Sequence, residues 1–395
     1  MQEARRTQAI ELLTQFAERA GVTGERPPDR YLWTDAFAVC AFLGLGRATG
    51  AARFTGTALS LIEQVHRTLG RHRTDDARTG WLSGQGELEG EAHPTAGGLR
   101  IGKKLPERAE GEPLDEELEW DRDGQYFHYL TKWMHALDQG ARMAGRPEFN
   151  VWARELAQAA HRAFTSEARG GVKRMFWKMS IDLSRPLVAS MGQHDPLDGF
   201  ITCAELEATA AALGSASGGP HVADAAAEFA AMIDARNLAT ADPLGLGGLL
   251  MDADRVDQLT RSEILGSSGD SLLESLLTAA VVGLSHFARG GDLRRRADRR
   301  LAFRELGLSI GLAAASALSE RAQADTNPKR FPAGSDLPEL LAELRQFAPL
   351  RAEIEAFWLR PESRGTTLWS EHRNINEVML ATSLEPEGFL TLATP

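Results

Sequence analysis

Apolar residues recur every three to four positions along nearly the whole chain, the spacing that gives an α-helix one buried stripe. Ile10, Leu13, Phe16 and Ala17 mark the stripe of a first helix, and Leu59, Ile62, Val65 and Leu69 that of a third. Continued to the end, the pattern predicts twelve helices: 3–20, 33–50, 52–69, 124–144, 148–164, 197–214, 222–236, 244–260, 271–288, 293–321, 337–358 (broken near Pro349) and 370–382. Two long connections interrupt it. Residues 73–120 are rich in Gly, Glu and Pro and too long for a plain turn, which suits a lid or binding loop. Residues 166–193 hold the stretch Val172-Lys-Arg-Met-Phe-Trp-Lys-Met-Ser180, whose alternation and aromatics suit a short hairpin. No low-complexity linker divides the chain, so one all-α domain over 1–395 is predicted, with both connections over its pocket.

The even-numbered helices begin differently from the odd ones. Helix two opens Tyr31-Leu-Trp33-Thr-Asp35, and Glu119-Trp120-Asp121-Arg122-Asp123-Gly124-Gln125-Tyr126-Phe127-His128 precedes helix four. His194-Asp195-Pro196-Leu197-Asp198-Gly199 opens helix six and Asp242-Pro243-Leu244-Gly245 helix eight. Phe303-Arg304-Glu305 lies in helix ten, and Leu368-Trp369-Ser370-Glu371-His372-Arg373-Asn374-Ile375-Asn376 opens helix twelve. Such starts, one hairpin apart, are how a helical repeat reads. If alternate helices form an inner ring, their amino ends meet at one mouth, where helix dipoles and free N–H groups favour oxygen-rich ligands. Small residues (Ala38, Gly44, Gly247, Gly248, Gly311, Ala313, Ala314) let such helices crowd an axis.

Composition changes this picture little. Ala, Leu, Arg and Glu dominate and β-branched residues are sparse, which favours helix. The net charge of −11 is spread along the chain and gives no basic face for nucleic acid. The one arginine cluster, Arg294, Arg295, Arg296, Arg299 and Arg300, is interleaved with Asp292 and Asp298 and reads as a solvated helix start. Cys40 and Cys203 sit in apolar stretches and make no disulfide framework, which suits a cytoplasmic setting. The first residues open an amphipathic helix rather than a signal peptide, and no apolar run approaches the roughly 18 residues of a membrane span. No nucleic-acid or membrane partner is expected; the oligomeric state is not legible.

Twelve alternating helices with Trp/Asp, Asp-Gly and Glu-His clusters at inner starts resemble the six-hairpin, (α/α)6-toroid glycosidases and the N-acylglucosamine 2-epimerase superfamily. The resemblance implies a toroid of helical hairpins and a small-molecule or oligosaccharide substrate. In the epimerase-like enzymes paired histidines on inner helices move the protons. His372 stands where one is expected, and His194 is the nearest second, since helix eight holds none. In the unsaturated-glucuronyl-hydrolase-like branch aspartates on early inner helices act, and Asp35 and Asp123 match.

The residues themselves allow either chemistry. Hydrolysis of a glycoside needs one carboxylic acid and one carboxylate. Asp35, Asp123, Asp198 and Glu371 lie at inner starts, with Asp123 and Asp198 the expected acid and base, although capping is the commonest use of an acid there. Trp33, Trp120, Tyr126 and Trp369 are candidate sugar platforms or simply core; His93, His128, Arg304 and Asn376 complete the predicted binding set. Epimerisation needs two bases tunable near neutral pH, here His194 and His372, each next to an acid (Asp195, Glu371). Lys178 and Arg185 are set to bind an anionic group or to pair with Asp182. His194, Asp195 and Asp198 lack the spacing of a metal motif, so neither metal nor cofactor is predicted. The expected function is a glycoside hydrolase, with a sugar epimerase or isomerase and a non-catalytic carbohydrate-binding protein as alternatives.

Overall fold

The computed structural model describes residues 2–167, 170–171, 173–214, 218–325 and 335–392; Val172 of the predicted hairpin lies outside them. Its longer helices are α1 (Gln2–Arg19), α2 (Leu32–Thr49), α3 (Ala52–Leu69), α4 (Phe127–Ala144), α5 (Pro147–Phe164), α6 (Asp195–Leu213), α7 (Ala223–Ala231), α8 (Pro243–Arg261), α9 (Gly266–Gly290), α10 (Ala302–Ala324), α11 (Leu337–Arg345), α12 (Ala348–Leu359) and α13 (Arg373–Leu384). The predicted break near Pro349 is real and falls at 346–347. Pro349 then sits in the first turn of α12, where its missing N–H costs nothing. The arginine cluster is not a helix start: two 3-10 turns, Asp292–Arg294 and Ala297–Arg299, carry it, and α10 begins only at Ala302.

The chain forms two compact units. In the unit of residues 17–233, α4 packs on both α2 and α6, while α3, α5 and α7 each pack on the helix before them. The sequence sets this layering. Every residue of α2 from Leu32 to Phe42 is buried, so that helix must be covered all round. In α3 only a stripe (Phe54, Ala58, Leu61, Ile62, Val65, Leu69 and His66) is buried, so that helix shields one side and faces water with the other.

The predicted hairpin is present in more elaborate form. Strands β1 (Gln125–Tyr126), β4 (Lys178–Met179) and β5 (Pro186–Val188) make an antiparallel sheet in the order β1-β4-β5, with Gln125 opposite Met179 and Tyr126 opposite Lys178. Strands β2 (Thr165–Glu167) and β3 (Lys173–Met175) pair separately. Because β1 runs straight into α4, this sheet is fixed at the amino end of a central helix.

The other unit, residues 1–16 and 234–392, repeats the alternation. There α10 packs on α8 and α13, with α9 against α8 and α12 against α10. Gly247 and Gly311 act as the sequence suggests: a Cβ on Gly247 would lie 2.2 Å from the Gly307 carbonyl oxygen, and one on Gly311 2.6 Å from that of Gly247. Only hydrogen allows α8 and α10 to approach this closely. Gly248, by contrast, faces open space. The run Gly266–Arg294, which contains α9, is long and apolar enough to cross a membrane by length and composition, contrary to expectation; 44% of its apolar window is buried.

Candidate active site

Asp123 lies just before β1 and is fully buried. Its Oδ1 accepts from the amides of Gly102 (2.9 Å), Gly124 (3.1 Å) and Lys103 (3.3 Å), and its Oδ2 from Arg100 (2.9 Å) and Arg73 (3.3 Å). Those partners all belong to the long connection or the adjoining turn. Asp123, expected as a catalytic acid, is therefore the clasp that holds 73–120 against the amino end of α4, and its oxygens are already filled. Asp35 has a similar inward role. It is buried in the first turn of α2, accepts from the Tyr31 amide at 3.1 Å and lies 3.7 Å from the buried Arg30 guanidinium. Burial pushes its pKa up to about 6 despite that cation.

Beside these clasps lies a bowl of rings. The Tyr31 and Tyr129 hydroxyls share a hydrogen bond of 2.6 Å. Trp33 packs on Tyr129 at 5.3 Å and on His128 at 6.1 Å; Tyr126 stacks on His128 at 5.4 Å; Trp177, next to β4, lies parallel to the imidazole at 6.0 Å. Residues 126–129 supply three of these rings because β1 passes directly into the first turn of α4. Crowded in this way, His128 keeps a pKa lowered to about 4 by burial, and Tyr31 one raised to about 12. Lys103 reaches over Tyr31 with Nζ 5.5 Å from the ring centre and makes no ion pair with any described residue. Its pKa is lowered, chiefly by desolvation.

The acid of this cluster is Asp195, which the sequence offered as the neighbour of His194 and as a badly spaced candidate metal ligand. It occupies the first turn of α6, with Oδ1 4.0 Å from His128 Nδ1 and Oδ2 accepting from the Gly192 amide at 3.2 Å. Burial first, and then the negative charge of Asp198, raise its pKa to about 7. Asp198, one helical turn along on the same face, accepts from Lys132 Nζ at 2.7 and 2.8 Å and from Thr131 at 2.5 Å. One carboxyl thus holds its proton near neutrality while its neighbour is ion-paired. The sequence signal was the i, i+3 spacing of Asp195 and Asp198, and the i, i+4 spacing that puts Lys132 above His128 on α4. His194 is partly buried at the amino cap of α6, where its carbonyl accepts the Asp198 amide at 2.9 Å.

The remaining predicted residues are not drawn into this cluster. His93 pairs with Glu155 of α5 at 2.7 Å and lines a separate cavity of about 270 Å³ with Gln85, Glu89 and Arg162. Another cavity, of about 350 Å³, lies over α3 and α5 among Trp81, Phe149 and Trp152. Lys178 is bound to Glu119, and Asp182 pairs with Arg78 at 2.8 Å instead of with Lys178 or Arg185. In the other unit Arg304 pairs with Asp242, the cap of α8. Asn376 is buried and holds the Phe303 amide (3.0 Å) and the Trp369 carbonyl (3.1 Å). Trp369 is buried in a stack on Trp358, and Glu371 and His372 are exposed at the turn before α13. Among the described residues no group of three or more His, Cys, Asp and Glu is arranged to hold a metal ion.

No family model matches the chain, and no curated protein matches it. Solved structures do. A GH76 α-mannanase from Bacteroides thetaiotaomicron superposes with a TM-score of 0.53 at 10% identity, over 97% of this chain and 96% of that one. At this identity the likeness shows the fold alone, an all-α toroid of helical hairpins. A family 76 glycoside hydrolase from a bovine Bacteroides thetaiotaomicron strain gives 0.52 at 11% identity, over 97% of this chain and 77% of that one. A cellobiose 2-epimerase from Spirochaeta thermophila gives 0.47 at 13% identity, over 95% and 98%. The fold class is thus the expected one, all-α and of the (α/α)6-toroid type.

Proposed function

We propose that this chain is a carbohydrate-active enzyme, a glycoside hydrolase whose proton donor is Asp195. One observation carries the reading: a carboxyl held near pKa 7 lies 4.0 Å from the His128 imidazole of the aromatic cluster and one turn from an ion-paired carboxylate. Pairs of acids whose surroundings push them apart in this way divide into a donor and a charge-bearing partner. Asp195 protonates the leaving oxygen. Asp198, fixed by Lys132 and Thr131, faces the positive charge that grows on the sugar carbon. As the C–O bond breaks, a water bonds to that carbon and gives its proton to bulk water, from which Asp195 is reprotonated. Half-buried Tyr129 and Trp177 offer apolar faces to the C–H side of a pyranose, with buried Trp33 and Tyr126 packed behind them, and His128, uncharged at neutral pH, adds a hydrogen-bonding edge. Two of the solved structures sharing the fold are glycoside hydrolases, which supports hydrolysis by analogy.

A second reading has one observation in its favour. The His128 imidazole, neutral and 4.0 Å from Asp195, is the kind of base that removes a proton next to a sugar carbonyl. The two separate cleanly. A panel of chromogenic glycosides should release aglycone with the wild-type protein and not with Asp195→Asn. Incorporation of solvent deuterium into a free sugar, with no aglycone released, would instead favour the epimerase or isomerase.

A further inference from the structure

Beyond the bowl the rings continue outward. Trp177 lies 6.0 Å from His128 on its inner side and 5.0 Å from Trp120 on its outer side. Trp120 is 51% exposed, and the exposed apolar residues Leu105, Leu114 and Leu118 come from the same connection. An indole left in water by a flexible loop would be unremarkable. This one is anchored. Lys178, wholly buried, donates from Nζ to the Glu119 carboxylate, the Glu119 carbonyl and the Arg122 carbonyl, each at 2.8 Å. Arg108 grips the same Glu119 at 3.0 Å and ties it to the Leu187 carbonyl of β5 at 2.7 Å. A buried, fully satisfied ion pair gives rigidity at the cost of desolvating two charges. Here it fixes Glu119, directly before an exposed tryptophan, and Arg122, two residues after it. Such an arrangement holds a ring in place for a ligand, because a preorganised platform loses little entropy on binding.

We propose that Trp120 and Trp177 form a platform for a further sugar ring, so that the substrate is a glycan chain extending from the Asp195 bowl rather than a free monosaccharide. This rests on the carbohydrate reading above. The occupant follows from continuity: a flat, uncharged, amphipathic ring is what the bowl takes, and the platform joins that bowl by one shared indole. Lys178 and Glu119 are positioning residues that act through Trp120.

The test measures binding to the Asp195→Asn protein, which leaves chains uncut. Calorimetry with manno- and cello-oligosaccharides, from monosaccharide to hexasaccharide, should show affinity rising about tenfold with length before it levels off. In the Trp120→Ala/Asp195→Asn protein most of that rise should vanish, and Trp120→Phe should restore it. The substituted side chain is half in water, so the fold is expected to survive, and an unchanged circular dichroism melt checks this. Affinity independent of length, or a rise that survives Trp120→Ala, overturns the platform while the hydrolase reading stands on its glycoside assay. A protein that binds none of these sugars and cleaves no glycoside overturns both.

Discussion

The two units use the same residue types at the amino ends of their central helices to opposite effect. In residues 234–392 the charges at the starts of α8 and α10 are closed on one another. Arg300 grips Glu305 through both carboxylate oxygens, at 2.8 and 2.6 Å, and Trp358 donates to the same carboxylate at 2.8 Å; Arg304 holds Asp242, which also caps α8. In residues 17–233 Asp123 is closed in this way, but Asp195 is not. It has one backbone donor and a negative neighbour, and its proton stays on up to about pH 7. An acid at a helix start is therefore not a site in itself. What distinguishes Asp195 is that, among the described residues, no Lys or Arg pairs with it directly while it is buried against the His128 imidazole, a condition suited to a proton donor.

The sharpest break of this contrast is kinetic. Asp195→Asn should lower the rate on an active glycoside by about 10²–10⁴-fold, the usual worth of a positioned acid. Glu371→Gln and His372→Ala in the other unit should change it by less than about twofold. An equal loss in Glu371→Gln would place the chemistry elsewhere. Next in size is a stability difference between two cation removals. Lys132→Met leaves buried Asp198 without its counter-ion and should cost about 3–5 kcal/mol. Arg304→Met opens an ion pair whose partners are 37% and 39% exposed and should cost about 1 kcal/mol or less. Urea titrations of both variants measure the gap, and equal midpoints would mean that Lys132 is not holding a buried charge.

A third effect is smaller and depends on pH. Because the Asp195 pKa is raised on folding, from 3.8 to about 7, its favourable contribution is complete below the unfolded value and is lost as pH climbs toward the folded one. Compared with Asp195→Asn, the wild type should lose about 1.4 kcal/mol per pH unit across that window and then run parallel above it. In the same enzyme kcat/KM should fall as pH passes about 7. A stability difference that does not vary with pH would show that Asp195 titrates normally.

Much of this architecture was legible because helix periodicity is local. The stripe on α3 and the burial of α2 follow from residues within a turn or two of one another, and small residues at Gly247 and Gly311 marked where α8 and α10 could approach, although those two lie far apart in sequence. The bowl was legible only in part. Trp33, Tyr126 and His128, which the structure brings together, cluster in sequence at the starts of their helices. Asp123 was misassigned because its partners Arg73, Arg100 and the Gly102 amide lie 50, 23 and 21 residues away, and no spacing announces a loop that folds back. Asp195 was passed over for the opposite reason. Its defining feature is a missing counter-ion, and a sequence shows what residues are present but not which of them stay apart.

The three lysines near the bowl sharpen the contrast at its smallest scale. Lys132 and Lys178 are each matched to a buried carboxylate, and losing either should unfold the protein more readily. Lys103 is matched to none: its ammonium lies over the Tyr31 ring, partly buried, with a lowered pKa. A cation kept half-dry without a partner contributes little to folding, so Lys103→Met should leave Tm unchanged or slightly higher. The same ammonium is free to donate to a sugar hydroxyl or ring oxygen, at about 1 kcal/mol for such a partly exposed contact, so KM should rise roughly fivefold while kcat holds. Lys104→Met, one residue along and exposed, serves as the control. If Lys103→Met lowered Tm as Lys132→Met does and left KM alone, then Lys103 would belong with the closed charges, and the open half of the bowl would be reduced to Asp195 and His128.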